Sequence, residues 1–243
     1  MSTKPSIVFA HGIWADGSCF SKVMKLLQAD GYEVISTQNP LNSVEADVGA
    51  VHAALGRVKS PSVLVGHSYG GTVITAAGTD DRVAALVYIA ALAPEDGETS
   101  QAEQDRHPKT AVFGEIEVAD GRVWMKPSGA QYFCGDLPED EQKMVWATAT
   151  PPSADLFGQP VRGAAWKTKP TFYIVAANDQ AVHPELERFV AKRMNAKITE
   201  LQSSHVPMLS QPQAVYEVIL DAVKAVQESP TTQAAQPTPV PAE

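Results

Sequence analysis

A serine hydroxyl attacks a carbonyl only when the backbone presents it and a base takes its proton. The stretch VLVGHSYGGTVITAAG, residues 63–78, has the residue types to do the first of these. Gly66-His67-Ser68-Tyr69-Gly70 is G-x-S-x-G, with an apolar strand-like run before it and a small-residue helical run after it. A sharp strand-to-helix turn holds its central residue in a strained conformation, and the positions two residues either side must lack side chains to avoid collision. Gly66 and Gly70 meet that demand. Gly71 lets the new helix pack closely on the sheet, and the helix N-terminus turns its free amides towards any anion forming beside Ser68. The five-residue pattern is common by chance; the strand before it and the helix after it make Ser68 a nucleophile rather than part of a structural turn.

The base and its orienting acid should follow in the order serine, acid, histidine, each at a strand end. A predicted strand over 171–177 runs into Asn178-Asp179, and a predicted strand over 197–202 runs into Ser203-Ser204-His205. Asp179 is therefore the expected acid and His205 the expected base. Asp96 and Asp155 lack that combination of order and position. The other histidines also fit less well: His52 lies within a predicted helix, His107 in the middle of the chain, His183 at a helix start, and His67 precedes the nucleophile and points away from it. The amides expected to hold an oxyanion are those of Tyr69, after the nucleophile, and Ile13, in the loop His11-Gly12-Ile13-Trp14 that follows the first strand. His11 is expected to brace that loop.

These residues need a scaffold, and the pattern around them supplies one. Short apolar runs near 6–10, 33–36, 62–66 and 84–92 alternate with amphipathic stretches near 18–30, 44–58 and 70–78, which predicts an α/β fold with a parallel sheet covered by helices. The alternation breaks after Ala93 and resumes near 168, with a strand over 171–177, a helix over 184–194, a strand over 197–202 and a final helix over 212–226. Residues 1–93 and 168–227 are thus expected to form the core, and 94–167 an inserted lid. Within the lid, EIEVADGRVWM predicts a hairpin turning at Asp120-Gly121, and PEDEQKMVWATA a helix entered through Pro138. The expected substrate pocket draws on Trp14, Trp124, Phe133, Trp146 and Val206; the alternative is that the lid aromatics only seal a small core of their own. Residues 228–243, rich in Pro, Gln and Thr, are expected to be a disordered tail.

Composition narrows the function. The 243 residues carry a formal net charge of -9, with 44% hydrophobic and 19% charged residues. Nucleic-acid and anionic-membrane surfaces need clustered Lys and Arg, so neither partner is expected. Cys19 and Cys134, the two cysteines, have no disulfide or zinc spacing and are expected to be free thiols. No metal is expected. No signal-peptide pattern opens the chain and no run approaches membrane-span length, so the expected location is the cytoplasm and the expected state a monomer or homodimer.

The segments VFAHGIW, VLVGHSYGGTVI, LVYIAALAP, YIVAANDQAVHPE and SSHVPMLSQPQAV resemble the α/β-hydrolase superfamily, and within it the branch of plant methylesterases and hydroxynitrile lyases. The resemblance spans 7–92 and 171–223. It implies a mostly parallel sheet of about six strands, a lid after Leu92, no cofactor, and ester hydrolysis through an acyl-enzyme. Lyases of this branch have a threonine where this chain has Gly12 and a lysine where it has Val206, so an esterase acting on a small to medium, neutral ester is favoured. An acyltransferase, or a ligand receptor built on a hydrolase core, is the alternative. If His205 is the base, the rate should rise as it loses its proton.

Overall fold

Apolar runs that continue without alternation form strands buried on both faces, as a helix-covered parallel sheet requires. The computed structural model describes residues 4–59 and 61–228, so nearly all of the expected tail lies outside the described residues. Its strands are β1 (Ser6–Ala10), β2 (Val34–Ser36), β3 (Ser62–His67), β4 (Val83–Ile89), β5 (Ile116–Ala119), β6 (Arg122–Met125), β7 (Thr171–Ala176) and β8 (Lys197–Leu201). Six of them make one sheet in the order β2-β1-β3-β4-β7-β8. Every pairing in that sheet is parallel, while β5 and β6 form a separate antiparallel hairpin. The helices are α1 (Ser21–Ala29), α2 (Val44–Leu55), α3 (Tyr69–Ala77), α4 (Ser100–Gln104), α5 (Ala130–Cys134), α6 (Glu139–Ala147), α7 (Pro184–Arg193), α8 (Pro207–Ser210) and α9 (Pro212–Glu228). None is long and apolar enough, among the described residues, to cross a membrane.

Local chemistry sets most of the boundaries. Ser43 caps α2 by accepting the Ala46 N–H at 3.1 Å. Asp16 accepts from Ser18 N at 2.6 Å, and the first expected helix begins as a tighter turn over Gly17–Phe20 before α1 takes over. The hairpin turns where expected, with Asp120 at φ 51° and Gly121 at φ 71°, the two positive values that a type I′ turn requires. The expected strand over 84–92 stops instead at Ile89, because Ala90 turns left-handed at φ 46°. The Tyr173 hydroxyl holds the turned chain, accepting from Ala91 N at 2.9 Å and donating to Ala91 O at 2.5 Å.

Residues 94–167 lie over the loops that follow the strands' C-terminal ends. Main-chain bonds make the seam: Trp14 N to Thr150 O at 3.0 Å, Ser153 N to Leu41 O at 2.8 Å, and Val112 N to Gln180 O at 3.1 Å. Side chains add to it, with Trp14 Nε1 donating to Val123 O at 2.9 Å and Thr110 Oγ1 to Ala181 O at 2.9 Å.

At the start of this segment a buried ion pair grips the backbone. Ala93 N donates to Glu103 Oε2 at 2.9 Å, Arg193 Nη2 donates to Ala93 O at 2.6 Å, and the same nitrogen meets the other Glu103 oxygen. Burial outweighs Arg193 and pushes the Glu103 carboxyl up to about 7 from an ordinary value of 4.5. Across that interval the folded carboxyl keeps a proton that the unfolded one has lost, so the native state binds more protons and stability falls as pH rises. The contribution is complete below the unfolded value and is lost as pH climbs through the folded one. Glu103→Gln, which does not titrate, is expected to flatten that part of the curve of urea midpoint against pH; an unchanged slope would show Glu103 ionised throughout.

Candidate active site

Ser68 sits between β3 and α3 at φ 55°, ψ -126°, a conformation that costs a residue with a side chain about 1–3 kcal/mol. Its backbone is pinned on both sides: its N–H donates to Ile89 O at 3.0 Å, and its carbonyl accepts from Gly71 N at 2.9 Å and Leu92 N at 3.2 Å. The glycines are steric necessities. A Cβ on Gly66 would lie 2.6 Å from Gly70 O, one on Gly70 2.1 Å from Ala10 O, and one on Gly71 2.2 Å from Leu92 O.

The loops after β7 and β8 bring an acid and a histidine to the same end of the sheet. These strands pair in register to Ala176 and Leu201, and Asn178 N then donates to Ser203 O at 3.1 Å, so the two loops leave together. Asp179 Oδ1 accepts the Ala181 and Val182 amides at 2.6 and 3.0 Å, which leaves Oδ2 to accept from His205 Nδ1 at 2.5 Å. With its proton on Nδ1, His205 keeps a lone pair on Nε2, which is buried and has no hydrogen-bond partner among the described residues, the Ser68 hydroxyl included.

Two further residues hold the His205 loop. His67 does not simply point away: its Nε2 donates to the His205 carbonyl at 2.8 Å, and the two rings lie 4.6 Å apart. Burial, and then the His205 charge, hold the His67 imidazole well below the ordinary histidine range, so it is a neutral donor. Asp136, just after α5, accepts from Ser204 N at 3.0 Å through one oxygen and from the Ser204 hydroxyl through the other. No local pattern in the sequence marks a pairing between residues 136 and 204.

The loop after β1 lies against the nucleophile. A Cβ at Gly12 would come 2.6 Å from Ser68 Cβ and 3.1 Å from its Oγ, so no side chain fits there. His11 braces this loop. Asn39 N donates to His11 Nε2 at 2.8 Å, which puts the ring proton on Nδ1, and Nδ1 donates to Gly12 O at 2.8 Å. Burial lowers the His11 pKa and keeps the ring neutral. In a trans peptide the N–H points opposite to the carbonyl, so fixing Gly12 O also fixes the direction of the Ile13 N–H. Neither the Ile13 nor the Tyr69 amide donates to a protein acceptor among the described residues. Tyr69 anchors the start of α3 from the other side, its hydroxyl donating to the buried Asp47 Oδ2 at 2.8 Å.

A family model described as "Alpha/beta hydrolase family" matches residues 7–218. The chain belongs to the alpha/beta hydrolase family. A pyrethroid hydrolase of Sphingobium wenxiniae is 28% identical over 93% of this chain and 90% of its own length. Methylesterase 18 of Arabidopsis thaliana is 24% identical over 90% of this chain and 97% of its own. Among solved structures, a pyrethroid hydrolase superposes with a TM-score of 0.79 at 27% identity, covering 93% of this chain and 100% of that one.

Two cavities flank the hydrolase site, and neither has Ser68 or His205 in its wall. One, of about 210 Å³, is lined by Ile13, Trp14, Ile116, Val123 and Phe157 and reaches Ala181 beside Asp179. The other, of about 270 Å³, is lined by Phe133, Val145, Val206 and Leu209. Phe133 packs at 4.9 Å from the His205 ring, and Val206 follows that histidine in the chain. Of the residues expected in one pocket, Trp14 faces the first cavity and Phe133 and Val206 the second. Trp124 and Trp146 line neither cavity and are a correction: they are 42% and 40% exposed, with their indole N–H groups on Ala119 O and Met125 O. Strand alternation explains Trp124, since Val123 and Trp124 are neighbours on β6 and only one of them can face inward. Cys19 and Cys134 are both free, as expected.

Asp136→Ala removes both acceptors of Ser204. Amide exchange at Ser204 should then rise by about tenfold or more, while the β7 amides stay protected; unchanged exchange at Ser204 would show that Asp136 does not restrain the loop.

Proposed function

We propose that this hydrolase is a serine esterase in which Ser68, His205 and Asp179 act together. The observation that carries the proposal is the bare, buried His205 Nε2 on a ring whose other nitrogen is held by Asp179 at 2.5 Å. Substrate binding brings the Ser68 hydroxyl to that lone pair, a contact that commonly tightens only in the complex. Oγ attacks the ester carbonyl as its proton passes to Nε2, and the Ile13 and Tyr69 amides receive the oxyanion. Collapse of the tetrahedral intermediate breaks the bond to the alkoxy oxygen, which takes the Nε2 proton and leaves as the alcohol. Water then gives a proton to Nε2 as its oxygen attacks the acyl-serine, and the bond to Ser68 Oγ breaks as Oγ takes that proton back, which releases the acid and restores the resting pair. Asp179 stabilises the imidazolium without itself taking the proton.

The cavities divide the substrate. The leaving alcohol takes its proton from His205, so it belongs on the imidazole side, in the cavity of Phe133, Val145, Val206 and Leu209. The acyl group then occupies the cavity beside the Ile13 loop, with Trp14, Ile116, Val123 and Phe157 around it. The apolar parts of both walls favour a neutral ester with apolar groups on both sides of the linkage. The relatives named for pyrethroid hydrolysis and as a methylesterase support an ester substrate. Val206 is apolar and buried beside His205, which supplies no positive charge for a cyanide leaving group.

Turnover of p-nitrophenyl esters of increasing acyl length tests this reading. Ser68→Ala should lower kcat by about 10⁴-fold or more. Activity should fall on acidification, because protonated His205 cannot accept the serine proton. Ile116→Trp should shorten the longest acyl chain accepted, whereas Val145→Trp should restrict the alcohol alone. Equal turnover by wild type and Ser68→Ala would overturn the assignment.

A further inference from the structure

A second carboxyl group lies buried behind Asp179. Glu187, on α7, has no exposed surface, and its Oε2 accepts the Ala176 N–H at 2.9 Å. Its Oε1 is buried with no N–H or hydroxyl donor to meet it, and the carboxyl lies against that of Asp179. The acceptor count at Asp179 makes this meaningful. An ionised carboxylate offers about four lone-pair sites, and Asp179 fills three of them with Ala181 N, Val182 N and His205 Nδ1. One site remains, facing a carboxyl group with one oxygen that lacks a donor.

The groups around Glu187 offer no counter-charge in contact with it. Arg188, its neighbour on α7, turns outward to Glu185 and Glu200. Arg193, a turn and a half further along α7, is bound to Glu98, Glu103 and Ala93 O. On β7, the Tyr173 hydroxyl is committed to the Ala91 backbone. His205 Nδ1 is committed to Asp179 Oδ2. Two carboxylates in contact with no cation between them cannot both be charged. Burial, followed by the Asp179 charge, raises the Glu187 pKa well above the ordinary range.

We propose that Glu187 is held as the neutral acid and donates its proton in a hydrogen bond to Asp179, which makes it a positioning residue for the Asp179–His205 pair. The arrangement gives Asp179 its fourth donor, fixes the carboxylate plane, and limits how strongly Asp179 favours the imidazolium. The link to turnover rests on the esterase reading above; the protonation state of Glu187 does not.

The experiment uses the full chain. Infrared difference spectra against Glu187→Gln at neutral pH, in which the signal of the buried Glu103 cancels, should show the carbonyl stretch of a buried protonated carboxylic acid in wild type and in Ser68→Ala. Glu187→Leu, which removes the donor, should lower kcat/KM by roughly tenfold or more with little change in KM, and should move the acid limb of the pH–rate profile upward. Glu187→Gln restores a donor and should recover activity to within about threefold of wild type, with the acid limb in its original place. Absence of the band in wild type, or a downward shift of the acid limb in Glu187→Gln, would show an ionised Glu187 and overturn the proposal. So would a Glu187→Leu protein that melts earlier but keeps the wild-type profile and kcat/KM. If Glu187→Leu fails to fold, the band and the Glu187→Gln profile decide. Since the band is also read in Ser68→Ala, failure of the esterase reading leaves the Glu187 result standing.

Discussion

The left-handed backbone of Ser68 is the constraint on which the rest of the molecule depends. A residue at φ 55° and ψ -126° persists only where its surroundings over-determine it. Here three backbone hydrogen bonds do so, from β4's last residue, from Leu92 and from the first turn of α3. Each is worth about 1 kcal/mol net, enough together to offset strain of about 1–3 kcal/mol. The same knot brings Ala10, Gly12 and Leu92 within backbone contact of the turn. It thereby fixes three things at once: where the Ile13 amide lies, where the Tyr69 amide lies, and where the chain leaves the sheet to begin the inserted segment.

The histidines show a second economy. His11, His67 and His205 are all buried, and each uses one ring N–H to hold a carbonyl or carboxylate: Gly12 O, His205 O and Asp179 Oδ2 respectively. Burial keeps His11 and His67 neutral. An imidazolium on His67, with its ring 4.6 Å from that of His205, would oppose any positive charge forming there. Neutral imidazoles therefore supply rigid donors around the site without competing for its charge.

What could be read from the sequence was what is local. The turn at Ser68 carries its own glycines, and Asp179 and His205 each follow the end of a strand, so chain order and strand ends pointed to them. The end of β4 was not legible, because the turn at Ala90 is held by a tyrosine hydroxyl from β7. Trp124 and Trp146 misled because aromatic content does not say which face of a strand or helix will look inward. The grip of Asp136 on Ser204 and of His67 on the His205 carbonyl spans 68 and 138 residues, and such pairings exist only once the sheet has assembled. Nothing in the sequence around Glu187 marks it apart from the other acids of its helix; the structure buries it completely.

The seam between the inserted segment and the sheet is made largely of main-chain donors and acceptors, at Trp14 and Thr150, Leu41 and Ser153, and Gln180 and Val112. Backbone groups are the same whatever side chains they carry. Cavity-lining positions such as Ile116, Val123 and Val145 can therefore be exchanged for other apolar residues without loosening the segment's attachment. Docking and selectivity are written in separate parts of the chain, so selection can reshape the rooms on either side of Ser68 while the roof stays in place.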